Sequence, residues 1–179
     1  MPEPAPPDPF SLLGLEPVFR LDEAVLEARH RELAAALHPD RHHAEAPRAR
    51  RQALGAAIEV NAAFRQLRDP VRRAEALLVR RGWAVAAGSE PRPAPELLMD
   101  VMEQREALAV ARRARDRASL ERLTRGMVER EAALVDRLGE LLDEPAAEAH
   151  ADAALRALVE LRYTRRFLDE VRAIEDELD

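Results

Sequence analysis

The sequence contains no cysteine and no lysine, and only 3% of its residues are aromatic. The lack of cysteine excludes disulfides, thiolate metal sites and cysteine nucleophiles, and it suits a reducing cytoplasm. Few aromatics and six glycines, beside 47% hydrophobic and 35% charged residues, favour packed helices over sheets. We therefore expect an all-α, cytoplasmic protein.

Long apolar runs and net positive charge are also missing. No stretch approaches the roughly 20 apolar residues that span a bilayer, and residues 1–4 have neither the basic nor the apolar region of a secretory signal. The net charge of -6 argues against non-specific nucleic-acid binding, which needs a positive surface. No serine lies in a glycine-bounded elbow, and there is no phosphate-binding glycine loop. We expect no membrane partner, no nucleic-acid partner, no enzymatic activity and no cofactor.

Apolar residues at helical spacing, interrupted by prolines, predict four helices within residues 8–81. A short helix begins at Asp8-Pro9, and a short one opens at Pro70. Between them lie two long helices, one ending before Pro39 and one beginning near Pro47. The stripe of the first long helix consists of Leu26, His30, Leu33 and Leu37.

Residues 82–95 contain two glycines and three prolines, which is typical of a semi-rigid linker. Three long helical patterns follow, at about 96–114, 118–142 and 146–178. Their short connections make consecutive helices antiparallel. We expect a three-helix bundle over residues 96–178.

The tripeptide His38-Pro39-Asp40 stands between the two long N-terminal helices. Pro39 fixes its own φ angle and disfavours helical geometry at His38, so the side chains of His38 and Asp40 should point outward from a hairpin tip. A helix that is simply ended by proline is the plainer alternative. His42 and His43 add nearby metal-binding groups, but this loop offers no preorganised geometry, and we expect no metal site.

The order of short helix, long helix, His-Pro-Asp loop, long helix and short helix resembles the J-domain of co-chaperones, as does the opening segment Asp8–Leu15. The resemblance implies that His38, Pro39 and Asp40 activate the ATPase of a DnaK-type chaperone, with Asp40 meeting a chaperone arginine. It also implies basic contacts beside this loop, although a solvated helix face is the alternative for each arginine. The candidates are Arg29, Arg31 and Arg41.

Residues 8–178 as a whole resemble the HscB family, J-domain co-chaperones of iron-sulfur cluster assembly. Generic J-proteins continue with a glycine/phenylalanine-rich tract or cysteine zinc repeats, and neither occurs here. The family resemblance implies two partners, a DnaK/HscA-type chaperone and an IscU-type iron-sulfur scaffold protein that the bundle binds. The local matches are Arg68-Asp69-Pro70, Arg73-Ala74-Glu75, Leu77-Leu78, Leu97-Leu98-Met99, Arg105-Glu106 and Leu161-Arg162-Tyr163.

The helix after the linker has two apolar faces. At about 100° per residue, Leu97, Val101 and Leu108 form a core stripe, and a second face carries leucine and methionine beside acids. The resemblance implies that the second face binds the scaffold, while periodicity alone allows both faces to be core. The implied scaffold-binding residues are Leu98, Met99, Met102, Glu103, Glu106 and, on the last helix, Tyr163.

Two positions depart from the family pattern. His30 stands where an apolar aromatic is common, so we expect a softer core beneath it. Met102 replaces a frequent leucine, which should matter little because the volume is similar. Two functional alternatives also stay open: a J-domain co-chaperone for a different client protein, and a structural helical protein that forms a weak homodimer.

Overall fold

The computed structural model describes residues 7–38, 46–83, 92–143 and 149–178. Regular structure in these ranges is α-helical throughout, which confirms the all-α prediction. The chain divides between residues 84 and 85 into two compact units, while the proposed 82–95 linker lies largely outside the described residues. The helices are α1 (Pro9–Leu13), α2 (Glu23–Ala36), α3 (Pro47–Arg68) and α4 (Pro70–Arg80) in the first unit, and α5 (Pro95–Ala114), α6 (Arg117–Asp143) and α7 (Ala149–Leu178) in the second.

Helix α1 is defined by its two caps. The Asp8 carboxylate accepts a hydrogen bond from the backbone N–H of Ser11 at 3.2 Å, and Gly14 ends the helix at φ 63°. A Cβ atom at Gly14 would lie 2.7 Å from the guanidinium of Arg29. Glycine is therefore required here both by the left-handed backbone and by the close approach of Arg29.

Helices α2 and α3 pack as an antiparallel hairpin. Leu26 of α2 is buried, and the ring of His30 stacks on Phe64 of α3 with centroids 4.1 Å apart and an interplanar angle of 15°. His30 Nε2 also lies 2.8 Å from Asn61 Oδ1. The imidazole therefore stacks where an aromatic ring is common and its Nε2 has a polar partner, while the expected softer core stays a prediction.

The turn between α3 and α4 explains the Arg68-Asp69-Pro70 motif. The Asp69 carboxylate caps α4 by accepting from the backbone N–H of Arg72 at 2.9 Å. One turn later, the buried Arg73 donates to the Leu67 carbonyl at 3.0 Å and lies 5.0 Å from the centroid of the Phe19 ring. Arg73 therefore joins three segments of the first unit through a charge-assisted hydrogen bond and a cation–π contact.

The second unit is the expected three-helix bundle. Arg115, at φ 51°, ends α5, and Asp116 then caps α6 by accepting from the backbone N–H and the hydroxyl of Ser119. No helix in the described part of the chain is long and apolar enough to cross a membrane. The bundle core contains Leu108, Ala111, Leu120, Met127, Phe167, Leu168, Val171 and Ile174.

Candidate partner-binding surfaces

The tripeptide His38-Pro39-Asp40, predicted to bind a chaperone, begins where α2 ends. Leu37 closes the helix by donating its backbone N–H to the Leu33 carbonyl at 3.0 Å, and the following His38 is exposed. Pro39, Asp40 and Arg41 lie outside the described residues. The α2–α3 hairpin therefore carries His38 at its solvent-facing end, and the contacts of the rest of the tripeptide stay a prediction.

The two arginines predicted on α2 have different surroundings. Arg29 donates through Nε to the Leu13 carbonyl at 3.2 Å and through Nη1 to Glu32 at 2.7 Å, so it ties the end of α1 to α2. Arg31 is 69% exposed and forms only a 3.4 Å pair with Glu27. An exposed pair of this kind contributes about 0–1 kcal/mol. Arg31 is therefore open to a partner, whereas Arg29 has a structural role.

Helix α5 carries an uncovered apolar face. Leu98, Met99 and Met102 are 43%, 63% and 71% exposed, whereas Leu108 on the core stripe is 2% exposed. The alternative that both faces are core is thus wrong for this helix. Side chains of this size, grouped and exposed, mark a binding surface more often than a solvated face.

Acidic residues and a further valine border this apolar face. Glu103 and Glu106 are exposed beside Met102, so the rim is negatively charged. Val110 is 51% exposed and lies eight residues after Met102, on the same side of the helix. Sequence reasoning did not include Val110, although its spacing of two further turns from Met102 would have indicated it.

Ion pairs between α5 and α7 show the register of these helices. Arg105 pairs with Glu170 at 3.6 Å and Arg112 with Glu177 at 2.6 Å, each across 65 positions of sequence. The two helices are therefore parallel, and the same offset places Tyr163 level with Leu98. We call the resulting surface the α5–α7 patch; it consists of Leu98, Met99, Met102, Glu103, Glu106 and the half-buried Tyr163.

A cluster of three charged residues lies on the helices beside this patch, and we call it the Arg130 cluster. Arg130 of α6 donates to Asp100 of α5 through Nη1, and to Glu160 Oε1 of α7 through Nε at 2.9 Å and Nη2 at 2.7 Å. Burial disfavours its charge, but the hydrogen bonds that it donates to both carboxylates outweigh that cost and raise the pKa of Arg130. Sequence reasoning missed this cluster, because ion pairs between distant helices leave no periodic pattern.

The described ranges were searched for side chains that could form a metal-binding site. No group of three or more His, Asp or Glu side chains there could hold a metal ion. His42 and His43 lie outside those ranges.

Known proteins resemble this chain in sequence over most of its length. Residues 93–172 match the family model described as the HscB C-terminal oligomerisation domain. The co-chaperone protein HscB homolog of Burkholderia multivorans is 36% identical over 170 residues, which cover 95% of each chain. This chain belongs to the HscB family of co-chaperones.

Further comparisons extend the HscB relationship to the fold. The HscB homolog of Cupriavidus taiwanensis is 43% identical over 156 residues, covering 85% of this chain and 86% of the relative. The structure of the chaperone HscB from Vibrio cholerae matches with a TM-score of 0.83 at 29% identity, covering 97% of this chain and all of that one. The chain is thus an HscB-type co-chaperone over both of its units.

Proposed function

We propose that this HscB-family chain binds an IscU-type iron-sulfur scaffold protein, delivers it to a DnaK/HscA-type chaperone and stimulates the chaperone's ATPase in the cytoplasm. The observation that carries the proposal is the exposed apolar face of α5, rimmed by carboxylates, in a family of co-chaperones. The chain has no cysteine and so no thiolate to bind a cluster. The cluster therefore stays with the scaffold.

The α5–α7 patch supplies two kinds of attraction for the scaffold. Leu98, Met99 and Met102 provide apolar area, and burial of such area stabilises a complex by about 25 cal/mol per Å². Methionine is flexible and polarizable, which suits an irregular partner surface. Glu103 and Glu106 favour a partner with basic residues at the rim and speed its approach.

The chaperone contact is carried by the end of the α2–α3 hairpin. In this proposal the Asp40 carboxylate accepts two hydrogen bonds from a chaperone arginine, a geometry in which guanidinium and carboxylate match. Pro39 has a fixed φ angle, which limits the number of conformations open to the tripeptide. Arg31 and Arg41 steer the hairpin towards an acidic chaperone surface, while Arg29 supports α2 through its contact with Leu13.

Two binding sites on one chain give the co-chaperone its effect. A scaffold bound to the second unit is held close to the chaperone that binds the first unit. This raises the effective concentration of each partner for the other without any new contact between them. Stimulated ATP hydrolysis then locks the chaperone onto the scaffold that has been delivered.

Substitution of Leu98→Ser together with Met102→Ser tests the scaffold contact. Both side chains are exposed in the free protein, so the fold should persist, and loss of their apolar burial should weaken scaffold binding at least about tenfold. Titration calorimetry with the purified IscU-type scaffold measures the affinity. Val128→Ser is the matched control, because Val128 on α6 is 47% exposed and Leu98 is 43% exposed.

Unchanged affinity in the double variant would remove the scaffold assignment of the patch. If the wild-type protein has no affinity for the scaffold but still stimulates the chaperone through Asp40, the chain is a J-domain co-chaperone for a different client. Circular dichroism of each variant separates loss of binding from loss of structure.

A further inference from the structure

The half of α5 that carries the patch has no buried residue. From Pro95 to Ala107 every described side chain is exposed or half-buried, and burial begins at Leu108 and Ala111. Level with this first half, α7 buries Leu161 and Phe167, so the bundle core continues there without a buried residue from α5. Apolar burial therefore holds the second half of α5 strongly and the first half weakly.

An open groove also lies between α5 and α6. Its volume is about 850 Å³, and its lining runs from Glu103 to Ala114 on α5 and includes Gly126 on α6. A Cβ atom added at Gly126 would meet nothing within 4 Å. Leu108 and Ala111 still belong to one core cluster with Leu120 and Met127 of α6, so the groove limits the contact between the two helices without abolishing it.

The Arg130 cluster connects the first half of α5, which has no buried residue, to the other two helices. Arg130 lies at the end of the groove and binds Asp100, which falls between Met99 and Val101 on α5. The same guanidinium binds Glu160, one helical turn before Tyr163 on α7. The three side chains are 29–34% exposed, so solvent screens them less than it screens the pairs at the rim of the bundle.

We infer that Arg130 is a positioning residue for scaffold docking: it holds the first half of α5 against α7 so that Leu98 and Tyr163 form one surface. The inference rests on the proposed scaffold-binding function of the α5–α7 patch. Arg130 acts through Asp100 and Glu160. Without Arg130, the first half of α5 adopts the binding arrangement for a smaller fraction of the time. The apparent affinity for the scaffold falls in proportion to that fraction.

Arg130→Met tests this role, because methionine keeps much of the side-chain length and removes the charge. Scaffold affinity, measured by titration calorimetry with the IscU-type scaffold, should fall about five- to tenfold. Asp100→Asn should weaken binding in the same direction while leaving the Arg130–Glu160 pair intact. The double variant should lose no more affinity than Arg130→Met alone, since both changes break one connection.

Arg165→Met is the matched control. The Arg165–Glu131 pair joins α7 to α6 at 3.0 Å, with side chains 35% and 24% exposed, and it does not include α5. Affinity within twofold of wild type is expected for this control. Amide hydrogen exchange should show faster exchange in residues 97–107 of Arg130→Met, a local effect that separates positioning from general destabilisation.

Two results would overturn the inference: scaffold affinity of Arg130→Met within twofold of wild type, or equal losses in Arg130→Met and Arg165→Met. A different result would contradict the proposed function itself: normal scaffold binding by the Leu98→Ser and Met102→Ser double variant. Weak binding by that double variant, together with normal binding by Arg130→Met, would reject the positioning role and keep the patch.

Discussion

Arginines that look alike in the sequence have different roles in the fold. Arg29 and Arg31 are two residues apart on α2 and therefore point to nearly opposite sides of the helix. Arg29 contacts Leu13 and Glu32, while Arg31 is exposed. Arg73 is buried over Phe19. Residue type and spacing predicted a basic surface beside the tripeptide, and the position of α1 shows that Arg29 also connects α1 to α2.

Asp116 gives a residue-scale prediction with a pH dependence. Hydrogen bonds from the Ser119 hydroxyl and backbone N–H lower the pKa of Asp116 below its ordinary value of 3.8. The unfolded chain therefore binds this proton more tightly than the folded chain. Asp116→Ala should lower Tm at pH 7, and the difference from wild type should narrow as the pH falls below 3.8 and through the folded pKa.

Thermal melts followed by circular dichroism across this pH range measure the effect. Asp116→Asn is the control, because its amide oxygen can still accept hydrogen bonds at the start of α6 but does not titrate. A Tm difference for Asp116→Ala that stays constant from neutral to acidic pH would show that the carboxylate charge contributes nothing to this cap.

Helix α5 shows which features of a single helix can be predicted from sequence periodicity. The spacing of Leu97, Val101 and Leu108 predicted a core stripe, and the leucine and methionine on the opposite side predicted a second apolar face. Whether another helix covers that face depends on how the three helices pack, and a helical wheel does not show this packing. The exposure of Met102 decides the question, and the Arg130 cluster could not be predicted because its members lie on three different helices.

The end of α5 gives an element-scale prediction about stability. Arg115 adopts φ 51° and ψ 38°, a left-handed conformation that costs a non-glycine residue roughly 1 kcal/mol. Arg115→Gly should therefore raise the free energy of unfolding by about 1 kcal/mol, measured by urea denaturation. Arg113→Gly, inside the same helix, should lower it by about as much.

Equal destabilisation by both glycine substitutions would contradict the role assigned to the left-handed cap. The comparison is informative because the two sites are two residues apart, carry the same side chain and are both exposed. They differ in backbone conformation. A rise in the free energy of unfolding for Arg115→Gly and a fall for Arg113→Gly would therefore reflect the left-handed conformation at the α5–α6 turn.

At the scale of the whole molecule, the two units carry different parts of the proposed function. The sequence alone predicts the chaperone half, because His38-Pro39-Asp40 is a local signal between two long helices. The scaffold half depends on side chains of α5 and α7 that are 65 positions apart, so it needs the register of the bundle as well as the family resemblance. Both halves belong to a chain that matches an HscB relative over 95% of its length.

The stimulated ATPase of the chaperone at increasing scaffold concentration tests the central claim most directly. The wild-type protein should stimulate hydrolysis, and scaffold should increase it further. Asp40→Asn should reduce stimulation to near the basal rate, because its amide cannot form the charge-assisted pair with arginine. The Leu98→Ser and Met102→Ser double variant should need at least about tenfold more scaffold for the same increase. Undiminished stimulation by Asp40→Asn would contradict the account.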